Sequence, residues 1–153
     1  MTAEPSERIV ARVTHDFTVS PETVFDAWLD AKLVRQWMAA SIAESAPGTE
    51  MRTVSIDARV GGTFTFTDSR DEDETGPTGT YLQIDRPRRL AFTWLPEPGE
   101  HSVVTIDIEP TSTGCTLTLV HEMEPTWADY LDQTTAAWVR MANHIDRMLT
   151  PRP

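Results

Sequence analysis

The chain has 153 residues, of which 39% are hydrophobic and 24% charged, a composition that fits one globular domain with one core. The formal net charge of −11 argues against nucleic acid and anionic membrane surfaces as partners, because phosphate binding needs a local excess of Lys and Arg. No uncharged run approaches the roughly 18 residues that cross a bilayer, so membrane insertion is not expected. The single cysteine, Cys115, excludes an intrachain disulfide, and the polar N-terminus lacks the apolar run of a signal peptide. The sequence therefore predicts a cytoplasmic protein.

The first third of the chain predicts one strand followed by two short helices. Ile9 to Val19 alternates apolar and polar residues, which is typical of a half-buried strand, and His15 falls on its apolar face. Ser20-Pro21-Glu22 predicts a helix start, with a capping serine before a proline at the first helical position. A second short helix is predicted from about Lys32 to Met38, and Ser41 to Glu50 is predicted to be a loop.

From Met51 to Glu122 the pattern is that of consecutive strands. Gly61-Gly62 predicts a hairpin turn, and Asp68 to Gly76, with five acids and no apolar residue, predicts a solvated loop. Because the strands are joined by short turns, we expect an antiparallel meander rather than a parallel sheet. The predicted strands are Thr53–Arg59, Thr63–Thr67, Thr78–Ile84, Arg89–Leu95, Ser102–Glu109 and Gly114–Glu122.

The C-terminal segment predicts a long amphipathic helix from Trp127 to Leu149. Thr126 and Asp129 form a capping-box-like pair before it, and Pro151 ends it. Its apolar stripe, at steps of four and three residues, needs a long apolar partner, and the curved sheet is the one available. The predicted fold class is therefore α+β, with six to seven antiparallel strands wrapped around this helix. The stripe comprises Trp127, Leu131, Thr134, Trp138, Met141, Ile145 and Met148.

Several strings, in this order along these elements, resemble the START-like helix-grip superfamily, also called SRPBCC or polyketide cyclase-like proteins. The closest branch is that of homologues of the C-terminal domain of the heat-shock-protein-90 ATPase activator. The resemblance implies one helix-grip domain over residues 8–150, with residues 1–7 as a flexible N-terminus. The chain differs from the family pattern at Ala137, where many members have glycine, and at Met38, where they have an aromatic residue. The strings are Ser20–Trp28, Gln36-Trp37, Asp57–Gly62, Gly79-Thr80-Tyr81, Arg89–Trp94 and Thr116–Leu119.

The resemblance implies a cavity between the sheet and the long helix that binds a small apolar or amphipathic molecule, such as a lipid, a polyketide or an aromatic compound. Residue parity along the strands and the helix stripe predicts which side chains face this cavity. The alternative is a filled core in which the same residues only pack. The predicted lining residues are Phe64, Phe66, Leu82, Phe92, Trp94, Leu119, His121, Thr134, Trp138 and Met141.

Two other functions are alternatives to simple ligand binding. A cyclase or hydrolase would need an acid or base inside the cavity, and His15 and His121 are the candidates because both share the parity of apolar neighbours. The resemblance also allows a co-regulator of a chaperone ATPase. No His or Cys spacing suggests a metal site and no glycine-rich loop suggests a phosphate site, so neither metal nor cofactor is expected. A homodimer through exposed strand edges is a further alternative.

Overall fold

The structure, a computed structural model, describes residues 8–70, 77–94 and 102–150. The predicted loop residues 71–76, the N-terminal residues 1–7 and Pro151 lie outside these ranges. Within them the chain forms seven strands and three α-helices, with a 3₁₀ helix before the last. The elements are β1 (Ile9–Phe17), α1 (Pro21–Ala27), α2 (Ala31–Ser45), β2 (Met51–Ile56), β3 (Thr63–Asp68), β4 (Thr78–Asp85), β5 (Arg89–Thr93), β6 (Ser102–Pro110), β7 (Cys115–Met123), the 3₁₀ helix (Pro125–Tyr130) and α3 (Leu131–Leu149).

All seven strands join one antiparallel sheet in the order β1-β7-β6-β5-β4-β3-β2. Strands β2 to β7 form the predicted meander, and β1 closes onto β7, so that β1 and β2 are the two edges. In β6 and β7 the alternation of buried and half-buried residues gives the sheet one apolar face. Helix α3 lies on that face through Trp138, Ala142 and Ile145, all buried. The α+β helix-grip prediction is confirmed.

Side-chain caps determine where α1 and α2 begin, and burial determines where α2 ends. Ser20 caps α1 as predicted, its hydroxyl accepting from the Thr23 backbone N–H at 3.2 Å. Asp30 caps α2 in the same way, accepting from the Lys32 N–H at 2.9 Å. Helix α2 is longer than predicted and continues to Ser45. The reason is that Ser41, a small polar residue, is buried and extends the inward-facing stripe by another turn.

The predicted start of the last helix is wrong. The segment Pro125–Tyr130 is a 3₁₀ helix, and α3 begins only at Leu131. Tyr130, with φ −105° and ψ 4°, lies in the bridge region and separates the two. Neither helix has a side-chain cap, so Thr126 does not form the predicted capping box. The end is as predicted, since Thr150 leaves α3 in an extended conformation.

Aromatic side chains fill the middle of the apolar face. The Phe64 ring lies 5.0 to 6.0 Å from the rings of Phe66, Tyr81, Phe92 and Trp94. Gly79 lets these strands approach, because a Cβ there would lie 1.9 Å from the Thr93 carbonyl oxygen. The rings that fill this region, which we term the aromatic cluster, are those of Trp28, Trp37, Phe64, Phe66, Tyr81, Phe92, Trp94 and Trp138.

The predicted inward orientation of Leu82 is wrong. The pairing of β4 with β5 shifts register between Tyr81 and Gln83, which reverses the parity of the strand at this point. Tyr81 is therefore 3% exposed and belongs to the aromatic cluster, whereas Leu82 is 48% exposed on the outer face. Ile84, beyond the irregularity, again packs against the core.

No helix within the described ranges combines the length and the hydropathy needed to cross a membrane.

Candidate ligand-binding cavity

A cavity of about 360 Å³ lies beside the aromatic cluster, between one end of β6 and β7, the 3₁₀ helix and the first half of α3. Its walls are mainly apolar, with hydroxyl, amide and imidazole groups among them. None of the described residues that line it is an Asp, Glu, Lys or Arg. The lining residues are Trp94, Ser102, His121, Met123, Trp127, Tyr130, Gln133, Thr134, Ala137, Trp138 and Met141.

Half of the predicted lining residues lie at this cavity. They are Trp94, His121, Thr134, Trp138 and Met141. Phe64 and Phe92 instead surround a void of only about 20 Å³ within the aromatic cluster, which has room for a water molecule rather than a ligand. Leu119 is 2% exposed and packs in the core, and Leu82 faces outward. The aromatic rings fill the centre of the sheet, so the open space is displaced to one end of it.

Phe66, a member of the aromatic cluster, also lines a side hollow of about 140 Å³. This side hollow shares Trp94 and Met141 with the main cavity. It also contains charged groups, since Arg70 pairs with Asp68 at 2.9 Å on its wall. The two charges therefore partly neutralise each other beside the cavity rather than inside it.

Sequence reasoning missed several lining residues for two different reasons. Ser102 and Met123 lie on the inner faces of β6 and β7, at the ends of these strands. The alternation of inward and outward residues predicts both of them if it is extended to the strand ends. Trp127 and Tyr130 face the cavity from the 3₁₀ segment, which repeats every three residues, and Gln133 follows them in the first turn of α3. A continuous α-helical stripe places Trp127 there but not the other two.

His121 is the buried polar centre of the cavity wall, with 3% exposure. The indole N–H of Trp138 donates to His121 Nδ1 at 3.0 Å, and His121 Nε2 is hydrogen-bonded to the Ser102 hydroxyl. An indole N–H can only donate, so Nδ1 must be the unprotonated nitrogen of the ring. The proton of neutral His121 is therefore on Nε2, and it is donated to Ser102 Oγ.

Burial keeps this histidine uncharged. It lowers the pKa of His121 from 6.5 to about 4, because the imidazolium would be desolvated without a counterion. A general base that activated Ser102 would need a free lone pair on Nε2, and here that nitrogen carries the proton. The arrangement suits a fixed hydrogen-bonding chain and opposes the use of His121 as a base toward Ser102.

The depressed pKa makes stability dependent on pH. The unfolded chain protonates His121 below about pH 6.5 and the folded chain only near pH 4, so stability is intact above this window and is lost as pH falls through it. We expect this residue to account for a loss of about 2 kcal/mol in the free energy of unfolding between about pH 7.5 and pH 5.

Urea unfolding at the two pH values measures this loss. In His121→Gln, whose amide can still accept from Trp138 and donate to Ser102 but does not titrate, the loss should shrink by that amount. If wild type and His121→Gln showed the same pH dependence of stability, His121 would not be the cause of the loss.

His15 lies on β1 and does not line the cavity. It pairs with Leu117 across the β1–β7 ladder, whereas His121 pairs with Ala11, four residues away. Its Nε2 is 2.7 Å from Asp146 Oδ2 near the end of α3, so it fastens that helix to β1. His15 is therefore not among the residues that line the cavity, whereas His121 is, and an acid or base role for either residue stays a prediction. Among the residues described, no group of three or more His, Cys, Asp or Glu side chains is placed to hold a metal ion.

Comparison with known proteins agrees with this architecture. The sequence profile described as Activator of Hsp90 ATPase homolog 1-like protein matches residues 18–150. A crystal structure of a Chromobacterium violaceum protein superposes with a TM-score of 0.77 at 22% identity, covering 94% of this chain and 99% of that chain. An AHSA1-like protein from Aeromonas hydrophila gives 0.73 at 19% identity, covering 95% and 98%. An Hsp90 activator from Plasmodium falciparum gives 0.70 at 20% identity, covering 92% and 95%. No curated protein matches the sequence.

Proposed function

The chain belongs to the family of Activator of Hsp90 ATPase homolog 1-like proteins, and because it also has a largely apolar cavity we propose that it binds a small apolar or amphipathic molecule. The observation that carries the proposal is the open space of about 360 Å³ beside the aromatic cluster. Its volume lies in the roughly 300 to 1,000 Å³ range of small-molecule sites, and its apolar walls with a few polar groups have the usual composition of such sites.

The walls suit a flat or multi-ring molecule. Trp94, Trp127 and Trp138 supply large apolar ring surfaces, and Met123 and Met141 supply adaptable thioether side chains. Trp138 is held rigidly by its hydrogen bond to His121 and by its ring contact with Trp94 at 5.2 Å. A preformed wall of this kind reduces the entropy that is lost when a ligand binds.

Thermal denaturation with a panel of lipids, polyketides and aromatic compounds tests the proposal. A ligand at a hundredfold excess over its dissociation constant should stabilise the fold by about 2.7 kcal/mol. For a chain of this size that corresponds to a rise in Tm of about 5 °C or more. If no member of a broad panel raised the Tm, ligand binding would lose its support.

A second candidate is co-regulation of the Hsp90 ATPase. It is favoured by the family itself and by the likeness to the Hsp90 activator of Plasmodium falciparum. ATP turnover by an Hsp90, measured with and without the protein, decides this alternative. Stimulation that saturates with protein concentration would support it, and unchanged turnover at saturating concentration would remove it.

We also infer a cytoplasmic location and leave a homodimer as a prediction. Cys115 is free and buried, and burial raises the pKa of its thiol, which suits a structural cysteine in a reducing compartment. Strands β1 and β2 each have one side without a neighbouring strand in the sheet, and such edges are where two copies would pair.

A further inference from the structure

The hydrogen bonds behind the cavity run in one direction. Trp138 donates to His121, and His121 donates to the Ser102 oxygen. The Ser102 hydroxyl must then direct its own proton elsewhere, because its bond with His121 already uses the oxygen as an acceptor. Among the described residues, Ser102 Oγ forms no hydrogen bond other than the one with His121. Ser102 is 6% exposed and lines the cavity, so a bound molecule is the acceptor available to it.

Charge restricts the ligand further. No Lys or Arg is among the described residues lining the cavity, His121 there is uncharged, and the chain as a whole has a net charge of −11. Arg70, in the adjoining side hollow, is paired with Asp68. A carboxylate or phosphate entering the cavity would lose its hydration without gaining a counterion, which is strongly unfavourable.

We propose that this cavity selects uncharged apolar molecules that carry a carbonyl or similar oxygen, which accepts the Ser102 hydroxyl proton. This inference rests on the proposed ligand-binding function and names the class of ligand. Ser102 is the recognition residue. Trp138 and His121 are positioning residues, since they determine that Ser102 donates into the cavity rather than toward the imidazole.

Two matched probes test the inference. Benzophenone and diphenylmethane have the same two rings and differ only in a carbonyl or methylene group between them. The quantity to measure, by equilibrium dialysis, is the ratio of their two affinities, because changes in cavity volume affect both probes alike. In Ser102→Cys, which fills the same space with a weaker donor, the preference for benzophenone should fall about tenfold relative to wild type. Ser102→Thr, which keeps the hydroxyl, should retain most of it.

The positioning role has a separate test. Trp138→Phe keeps an aromatic ring but removes the N–H that fixes the His121 proton on Nε2. The imidazole can then take the other tautomer and accept from Ser102, so the preference for benzophenone should again fall, although Ser102 is unchanged. A purely packing role for Trp138 would weaken both probes equally and leave the ratio unaltered.

The outcomes separate the two proposals. If both probes bind and the ratio is the same in wild type, Ser102→Cys and Trp138→Phe, the inference fails while ligand binding stands. If 4-benzoylbenzoate, the anionic analogue, binds as tightly as benzophenone, selection for uncharged molecules is wrong. If wild type binds neither benzophenone nor diphenylmethane, the inference fails, and the thermal denaturation panel then decides whether the proposed ligand-binding function fails as well.

Discussion

Replacing Ala137 by phenylalanine should abolish ligand binding while leaving the protein folded. Ala137 is half-buried on α3 and lines the cavity next to Trp138. A phenyl ring on this position would occupy space that the ligand needs. Loss of about 3 kcal/mol of apolar contact corresponds to a fall in affinity of more than about a hundredfold.

The control for this substitution lies one residue away. Ala136 is exposed on the same helix, so Ala136→Phe adds the same ring outside the cavity. Calorimetric titration of benzophenone into both variants should show binding only to Ala136→Phe. Urea unfolding should show that each differs from wild type by less than about 1 kcal/mol, mainly through helix propensity. Retained affinity in Ala137→Phe would mean that the ligand binds elsewhere.

Truncation of Ile145 should cause a large loss of stability. Ile145 is 0% exposed and packs in the core, where α3 contacts β1 and α2. Ile145→Ala removes buried methyl and methylene groups and leaves a cavity, at a cost of about 3 to 4 kcal/mol in the free energy of unfolding.

Val139 provides the comparison for Ile145. It lies on the same helix but is 41% exposed, so Val139→Ala should change stability by less than about 0.5 kcal/mol. Urea denaturation followed by circular dichroism gives both values from the transition midpoints. If the two variants were equally stable, the second half of α3 would not be anchored as the structure describes.

The fold could be predicted because its determinants are local and periodic. Alternation at period two in β6 and β7 predicts their inner faces, including His121. The caps and prolines at Ser20-Pro21 and after Leu149 predict where helices begin and end. These signals are short-range, so a single sequence contains them.

The cavity could be predicted only in part, because its position depends on long-range features. The register shift beside Leu82, which faces outward, arises from the pairing of β4 with β5 and breaks the alternation of inward and outward residues. His15 and His121 both point to the apolar face of the sheet, but they lie four residues apart along the paired strands β1 and β7. That aromatic rings fill the sheet centre and leave space near Ser102 depends on packed volumes, and a residue pattern does not contain these.

The five tryptophans can report directly on whether the cavity binds an uncharged apolar molecule. Trp94, Trp127 and Trp138 line it, whereas Trp37 lies in the core with its indole N–H bonded to the Ala27 carbonyl at 2.8 Å. The measurement is a benzophenone titration followed by the indole ¹H–¹⁵N NMR signals. We predict that the three cavity tryptophans shift together with one dissociation constant while Trp37 stays in place. If no signal shifted up to the solubility limit, or if the largest shift were at Trp37, benzophenone would not bind in this cavity.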